Sequence, residues 1–149
     1  MSTDFSKIVQ TNPQDLPRLF EIWETSTRAS HSFLSESDFQ SLIPLVKTEL
    51  ANFSPIYCIR DEAGAPFAML GVEGSNIEML FVHADFRGKG AGRLLTEYAI
   101  QVLHTDSVDV NEQNHLAVGF YQHLGFREIH RSSSDSYGNP FPVLHMVLS

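Results

Sequence analysis

Seven consecutive residues, Arg87-Gly88-Lys89-Gly90-Ala91-Gly92-Arg93, hold three cations, three glycines and no acid. The chain around them is acidic. Residues 1–86 carry 12 acids and 5 bases, and residues 94–149 carry 6 acids and 2 bases. The net charge of −8 therefore divides into +3 at one turn and −11 elsewhere. The turn follows a strand-like run and opens a helix-like one. The first N–H groups of a helix have no partners inside it, and the helix dipole makes that end electropositive. Glycines let a ligand approach the backbone closely. The chemistry that such a segment serves is the binding of phosphates, and of more than one.

Three phosphate-binding patterns compete for the turn. A P-loop needs Gly-Lys-Ser/Thr after a four-residue spacer, but Gly88-Lys89 is followed by Gly90. A dinucleotide fingerprint needs Gly-x-Gly-x-x-Gly at the start of a βαβ unit. Gly88-Lys89-Gly90 begins one, yet its third glycine position is Arg93. The third pattern, Arg-x-x-Gly-x-Gly, fits Arg87, Gly90 and Gly92.

Periodicity supplies the elements that must hold this turn. Phe5 to Gln10 reads as a short strand. Asn12-Pro13 reads as a helix start, with Asn as cap and Pro at the first helical position. Leu16, Leu19, Phe20 and Trp23 continue it at helical spacing, predicting a helix over 13–29. A loop at Ser30–Ser35 leads to a second helix over 36–51, which Pro44 would kink or divide. Three strand-like runs follow at Ile56–Ile59, Pro66–Glu73 and Ile77–His83. Their connections are too short for crossover helices, so they form an antiparallel meander. A helix over 90–104, with Leu94, Leu95, Tyr98, Ala99 and Val102 on one face, a strand at Val108–Val110 and a helix over Asn114–Leu124 come next, with Gly125 placed to end the last helix. Phe126–Arg131 and Phe141–Leu148 are the final strands, with Tyr137-Gly138-Asn139-Pro140 in the loop between them. The order β-α-α-β-β-β-α-β-α-β-β implies an α+β fold around one mixed, mostly antiparallel twisted sheet of about seven strands and four helices.

Composition narrows the setting. The chain has 149 residues, of which 42% are hydrophobic, with 11 Phe among them. That is enough for one core, and we expect a single domain over 1–149. An acidic chain is unsuited to general nucleic-acid binding or to an anionic membrane surface. It could attract a cationic partner. Cys58 is the sole cysteine, so no internal disulfide or multi-Cys zinc site can form. The histidines lack the converging ligands that zinc needs, so no metal is expected. No signal peptide or apolar span is evident, and the expected location is cytoplasmic.

Two stretches together resemble the GNAT superfamily of acetyl-coenzyme A-dependent N-acetyltransferases. The first is Leu80-Phe81-Val82-His83-Ala84-Asp85-Phe86-Arg87-Gly88-Lys89-Gly90-Ala91-Gly92. The second is Asn111, then Asn114-x-x-Ala117-x-x-Phe120-Tyr121-x-x-x-Gly125-Phe126. Within the superfamily the chain looks most like small bacterial acetyltransferases of the YjaB type, from its Val110–Asn114, His31–Leu34 and Gly138–Pro142 segments.

The resemblance implies direct attack of an amine on acetyl-CoA in a ternary complex, with no acyl-enzyme. Main-chain N–H groups of Arg87, Gly88, Lys89, Gly90, Ala91, Gly92 and Arg93 would hold the pyrophosphate. Leu80, Phe81 and Val82 would hydrogen-bond the pantetheine arm as a strand does. The Leu80 N–H would face the thioester carbonyl. Asn111 would bond the arm where two strands splay apart, with Asn114 also a cofactor contact. Tyr121 would be the general acid for the departing thiolate. Glu78 is the leading general base and a substrate contact, with His31 and then His83 as alternatives. Trp23, His31, Phe33 and Leu34 would line the acceptor pocket, which is expected to be acidic.

The expected acceptor is a small cationic amine. A protein N-terminus or lysine is the alternative, as is a catalytically silent acyl-CoA-binding module. A homodimer through the final strands is compatible with any of these.

Overall fold

The computed structural model describes residues 3–149. Its elements follow the expected order: β1 (Ile8–Gln10), α1 (Leu16–Ser30), α2 (Glu36–Asn52), β2 (Tyr57–Arg60), β3 (Pro66–Glu73), β4 (Asn76–Val82), α3 (Ala91–Gln101), β5 (Ser107–Asn111), α4 (His115–His123), β6 (Phe126–Ser132) and β7 (Val143–Leu148). The seven strands form one sheet in the order β1-β2-β3-β4-β5-β7-β6. All neighbours are antiparallel except β4 and β5.

Local chemistry explains most boundaries. The Asp15 carboxylate accepts from the Asn12 N–H at 2.8 Å across a short 3-10 turn, Pro13–Asp15, that leads into α1. A reciprocal Ser35–Asp38 capping box starts α2. Pro44 lies inside α2 without dividing it. Gly125, at φ +102, follows the end of α4. The helix after the glycine turn is shorter than its apolar pattern implied. Val102 lies just beyond α3 and is exposed, so it does not share the buried face of Leu95 and Ala99. The first strand is also shorter than expected, because Phe5 precedes it and packs edge-on against Tyr98.

Two cores sandwich the sheet. On one face Ile77, Leu95, Ala99, Val108, Val110 and Met146 pack with α3 and α4. On the other, Leu19, Ile22, Trp23, Phe39, Met69 and Met79 pack with α1 and α2. Strand β4 serves both. Its register against β3 runs Gly71↔Met79 and then Val72↔Ile77, which leaves Glu78 as an extra, bulged residue. The bulge resets the alternation of side chains. Ile77 joins Leu80 and Val82 on the α3–α4 side, while Met79 and Phe81 face α1 and α2.

Gly71 sits opposite this bulge. A Cβ there would lie 2.7 Å from the Met79 methyl and 2.8 Å from the Phe53 ring. Gly71→Ala is expected to lower unfolding stability by about 1–3 kcal/mol through overpacking. The check is a urea denaturation midpoint, and an unchanged midpoint would mean that Phe53 and Met79 yield without cost.

Candidate active site

Strands β4 and β5 pair only at Asn76↔Ser107 and Ile77↔Val108. Beyond Ile77, the edge of β4 that faces β5 has no strand partner. Its backbone polar groups are left for another chain-like partner. β5 stays paired with β7 from Ser107↔Val147 to Asn111↔Val143, so it cannot follow β4. The parting opens a cleft lined by Glu78, Leu80, Phe81, Asn111, Asn114 and Tyr121. It continues past Val82, Arg87, Gly92 and Phe120 to a hollow at Gly88, Gly90 and Arg93.

The hollow is the glycine turn. Gly90 precedes α3 at φ +83, and no side chain caps that helix start. Gly88 has φ +77, and a Cβ on either glycine would meet nothing within 4 Å. The first N–H groups of α3 therefore meet open space. The three cations are held differently. Arg87 lines both the cleft and the hollow. Arg93 donates to Glu97 at 3.0 Å, and the Lys89 ammonium lies 5.4 Å from the Phe86 ring centre. Ala91 is buried, so only its main chain faces a ligand. An uncapped helix start joined to an unpaired strand edge fits a pyrophosphate carrying an extended amide-bearing arm, as in coenzyme A.

Two asparagines fix the far wall. Asn114 Oδ1 accepts from the Ala117 N–H at 3.2 Å and so caps α4. Asn111 Oδ1 accepts from the Gln113 N–H at 3.0 Å. With both carbonyls committed, the side-chain NH2 groups are what each presents to a ligand. Tyr121 stands on α4 between Phe120 and Phe126, its ring edge-on to both. Burial pushes its phenol above the ordinary value, so it is a proton donor rather than a phenolate at neutral pH.

A second cleft lies on the α1–α2 side of β4. Trp23, His31, Phe33 and Leu34 line it. Trp23 is foremost a core residue, stacked on Phe39 at 5.1 Å, with one edge at the cleft. Glu78 lines both this cleft and the splayed one. The bulge exposes it, and its carboxylate accepts from Asn76 Nδ2 at 2.9 Å. His83 is elsewhere. It is buried, its Nδ1 accepts from the Asp85 N–H at 3.1 Å, and it packs against Phe86. Its lone pair is spent on that turn, which argues against a role as base.

Several lining residues escaped sequence reasoning. The loop between β6 and β7 folds back over the cleft, and Tyr137 donates to the Glu49 carboxylate at 3.1 Å. Burial and the carboxylates of Glu49 and Asp135 push the Tyr137 phenol up to about 12. Phe141 meets Phe33 edge-on at 5.5 Å. Turn residues at 137–140 signalled a loop, but nothing local tied it to Glu49. Thr27 was also missed. It is 3% exposed, its hydroxyl has no partner among the described residues, and it lines the cleft. A polar substrate atom there would satisfy it. Across the sheet, His145 links Asp109 and Ser132 at 2.5 and 2.7 Å and stacks on His130. This ties β5, β6 and β7 together.

No group of three or more His, Cys, Asp or Glu among the described residues is placed to hold a metal. No described helix is long and apolar enough to cross a membrane.

Known proteins share this architecture. A family profile described as acetyltransferase (GNAT) domain matches residues 52–149. Peptidyl-lysine N-acetyltransferase YjaB of Escherichia coli is 37% identical over 129 residues, covering 87% of each chain. Its Salmonella typhimurium counterpart is 35% identical over 130 residues, covering 87% of this chain and 89% of that one. The solution structure of apo YjaB from Escherichia coli superposes with a TM-score of 0.86 at 34% identity, over 94% of this chain and 95% of the other.

The hollow has a direct test. Gly90→Val disfavours the left-handed backbone, so the free turn would relax and have to be rebuilt on binding, at a cost of about 1–2 kcal/mol. We expect the coenzyme A Kd to rise roughly tenfold, since 1.4 kcal/mol is a factor of ten. Titration calorimetry measures it, and an unchanged Kd would mean the phosphates bind away from the turn.

Proposed function

The chain belongs to the GNAT acetyltransferase family and is an acetyl-CoA-dependent N-acetyltransferase; from that premise we propose that its acceptor is the side-chain amine of a lysine in a peptide or protein. One observation carries this reading. The acid-bearing cleft holding Glu49, Glu78 and Asp135 meets the splayed cofactor cleft at Glu78 and His31. A cation entering one side is thereby led to a thioester held on the other. The names of the YjaB relatives, peptidyl-lysine N-acetyltransferases, support the same acceptor class.

The residues divide the work. The turn at 87–93 binds the pyrophosphate, and β4 from Leu80 to Val82 holds the pantetheine arm together with Asn111 and Asn114. The Leu80 N–H stabilises the charge that grows on the thioester oxygen during attack. Glu78 holds the incoming ammonium, and Phe33, Leu34 and Trp23 pack against its alkyl stem. The orphaned Thr27 hydroxyl supplies a further polar contact. Tyr121 gives its proton to the departing sulfur. The cytoplasm suits both the donor and the buried free thiol of Cys58.

The first acceptor expectation, a small cationic amine, is the second reading. Three carboxylates in one cleft could neutralise more than one charge, which favours a polyamine over a monoamine.

Thiol release from acetyl-CoA, measured with a lysine-containing peptide and with spermidine, separates the two readings by kcat/KM. Tyr121→Phe is expected to lower kcat by about 10²-fold or more with the coenzyme A Kd unchanged. Glu49→Gln and Glu78→Gln are each expected to raise the amine KM. A Tyr121→Phe enzyme with full kcat would remove Tyr121 from the chemistry.

A further inference from the structure

We propose that His31 is the base that takes the proton from the acceptor amine, and that Ser30 is a positioning residue that holds the ring in the required tautomer. The inference rests on the acetyl-transfer reading above.

His31 directly follows α1 and lines the acceptor cleft, the splayed cleft and the cofactor cleft. A group that removes a proton from an attacking nitrogen must sit where these meet.

The Ser30 hydroxyl oxygen lies 2.8 Å from the Ser26 carbonyl oxygen and 2.8 Å from His31 Nδ1. A hydroxyl has one proton and a carbonyl has none. The Ser30 proton goes to Ser26, because otherwise two lone-pair oxygens would face each other at 2.8 Å. The Ser30 oxygen then accepts, and His31 Nδ1 must carry the hydrogen. A neutral imidazole protonated at Nδ1 has a bare lone pair at Nε2. No described residue hydrogen-bonds that nitrogen.

The surroundings keep the ring neutral. Burial lowers its affinity for a second proton, and the Thr27 carbonyl opposes this more weakly. The ionisable groups that line these clefts with it are Glu78 on β4, Asp109 on β5, Tyr121 on α4, Glu49 on α2, Asp135 and Tyr137 on the β6–β7 loop, and Arg87 after β4. Glu78 is the weaker candidate base. It is exposed and already accepts from Asn76, and imidazoles are in general closer in basicity to amines than carboxylates are.

The step balances. The ammonium gives one proton to His31 Nε2, which passes it to solvent. The freed nitrogen pair forms the C–N bond as the C–S bond breaks. The sulfur takes a proton from Tyr121, and the second proton leaving nitrogen restores the phenol. One amide, one thiol and one released proton result.

The test is the pH profile of kcat/KM with a lysine peptide. Activity should fall as pH drops through the His31 pKa, below the ordinary imidazole range, because the protonated ring cannot act as base. His31→Gln is expected to lower kcat by about 10²-fold or more and to abolish that limb, with coenzyme A binding intact by calorimetry. Ser30→Ala is expected to move the limb and Ser30→Thr to restore it. Glu78→Gln is expected to raise KM and keep the limb. A wild-type profile in His31→Gln, or a limb that vanishes in Glu78→Gln, overturns the proposal. Nitrogen NMR of the unsubstituted protein adds a reading independent of variant folding: protonated Nδ1 with bare Nε2 supports it, and the reverse overturns it. If the wild-type protein transfers acetyl to no amine, the acetyl-transfer reading fails instead.

Discussion

The parting of β4 from β5 is the constraint on which the rest depends. A parallel pair that holds for two residues and then separates leaves backbone groups without partners in the middle of a sheet. Such groups are costly to bury unpaired. They persist because β5 is committed along its length to β7, while β4 is committed to β3. The bulge at Glu78 makes the divergence compatible with a continuous core. It moves Ile77 to one face and Met79 to the other. Gly71, with no Cβ, leaves room for Met79 and Phe53 to close over the opposite strand. The site is thus a consequence of strand pairing as much as of the side chains that line it.

Charge then sorts what enters. The two clefts meet, but their walls differ in sign. The cofactor side ends at an uncapped helix start flanked by Arg87, Lys89 and Arg93, whereas the acceptor side carries Glu49, Glu78 and Asp135. At physiological salt such fields are screened within about 8 Å. Fields that fall off over so short a range let one small protein draw an anion and a cation to adjoining places. A net charge of −8 by itself hid this arrangement, because it averages a local +3 into an acidic whole.

What the sequence revealed follows the range of the interactions involved. The glycine turn and the end of α4 at Gly125 depend on residues within a few positions of one another, and both were legible. So was the antiparallel β2–β3–β4 meander, since short connections leave little choice there. The bulge at Glu78 was not legible, because it exists only relative to β3. Nor was the cover over the acceptor cleft, where Tyr137 reaches a carboxylate 88 residues away. Trp23 and Val102 show the same limit from the other side. Helical spacing assigns a face, but what packs against that face decides whether a residue is core, lining or surface.

The position of His31 joins these levels. It follows a helix whose Trp23 is stacked in the core and whose last turn supplies the Ser26 and Thr27 carbonyls. The His31 N–H donates to Thr27 O at 2.8 Å, which continues the helical pattern one residue past α1. The ring is therefore placed by regular backbone hydrogen bonds and oriented by one hydroxyl. A loop alone would leave it mobile, and a mid-helix position would keep it from the junction of the clefts. Groups that must act within tenths of an ångström are held best by rigid elements. The end of a helix is where rigidity and access to a cleft coincide. The loops at 32–35 and 133–142 can then vary the acceptor they admit, through Phe33, Tyr137 and Phe141, without moving the ring proposed as base.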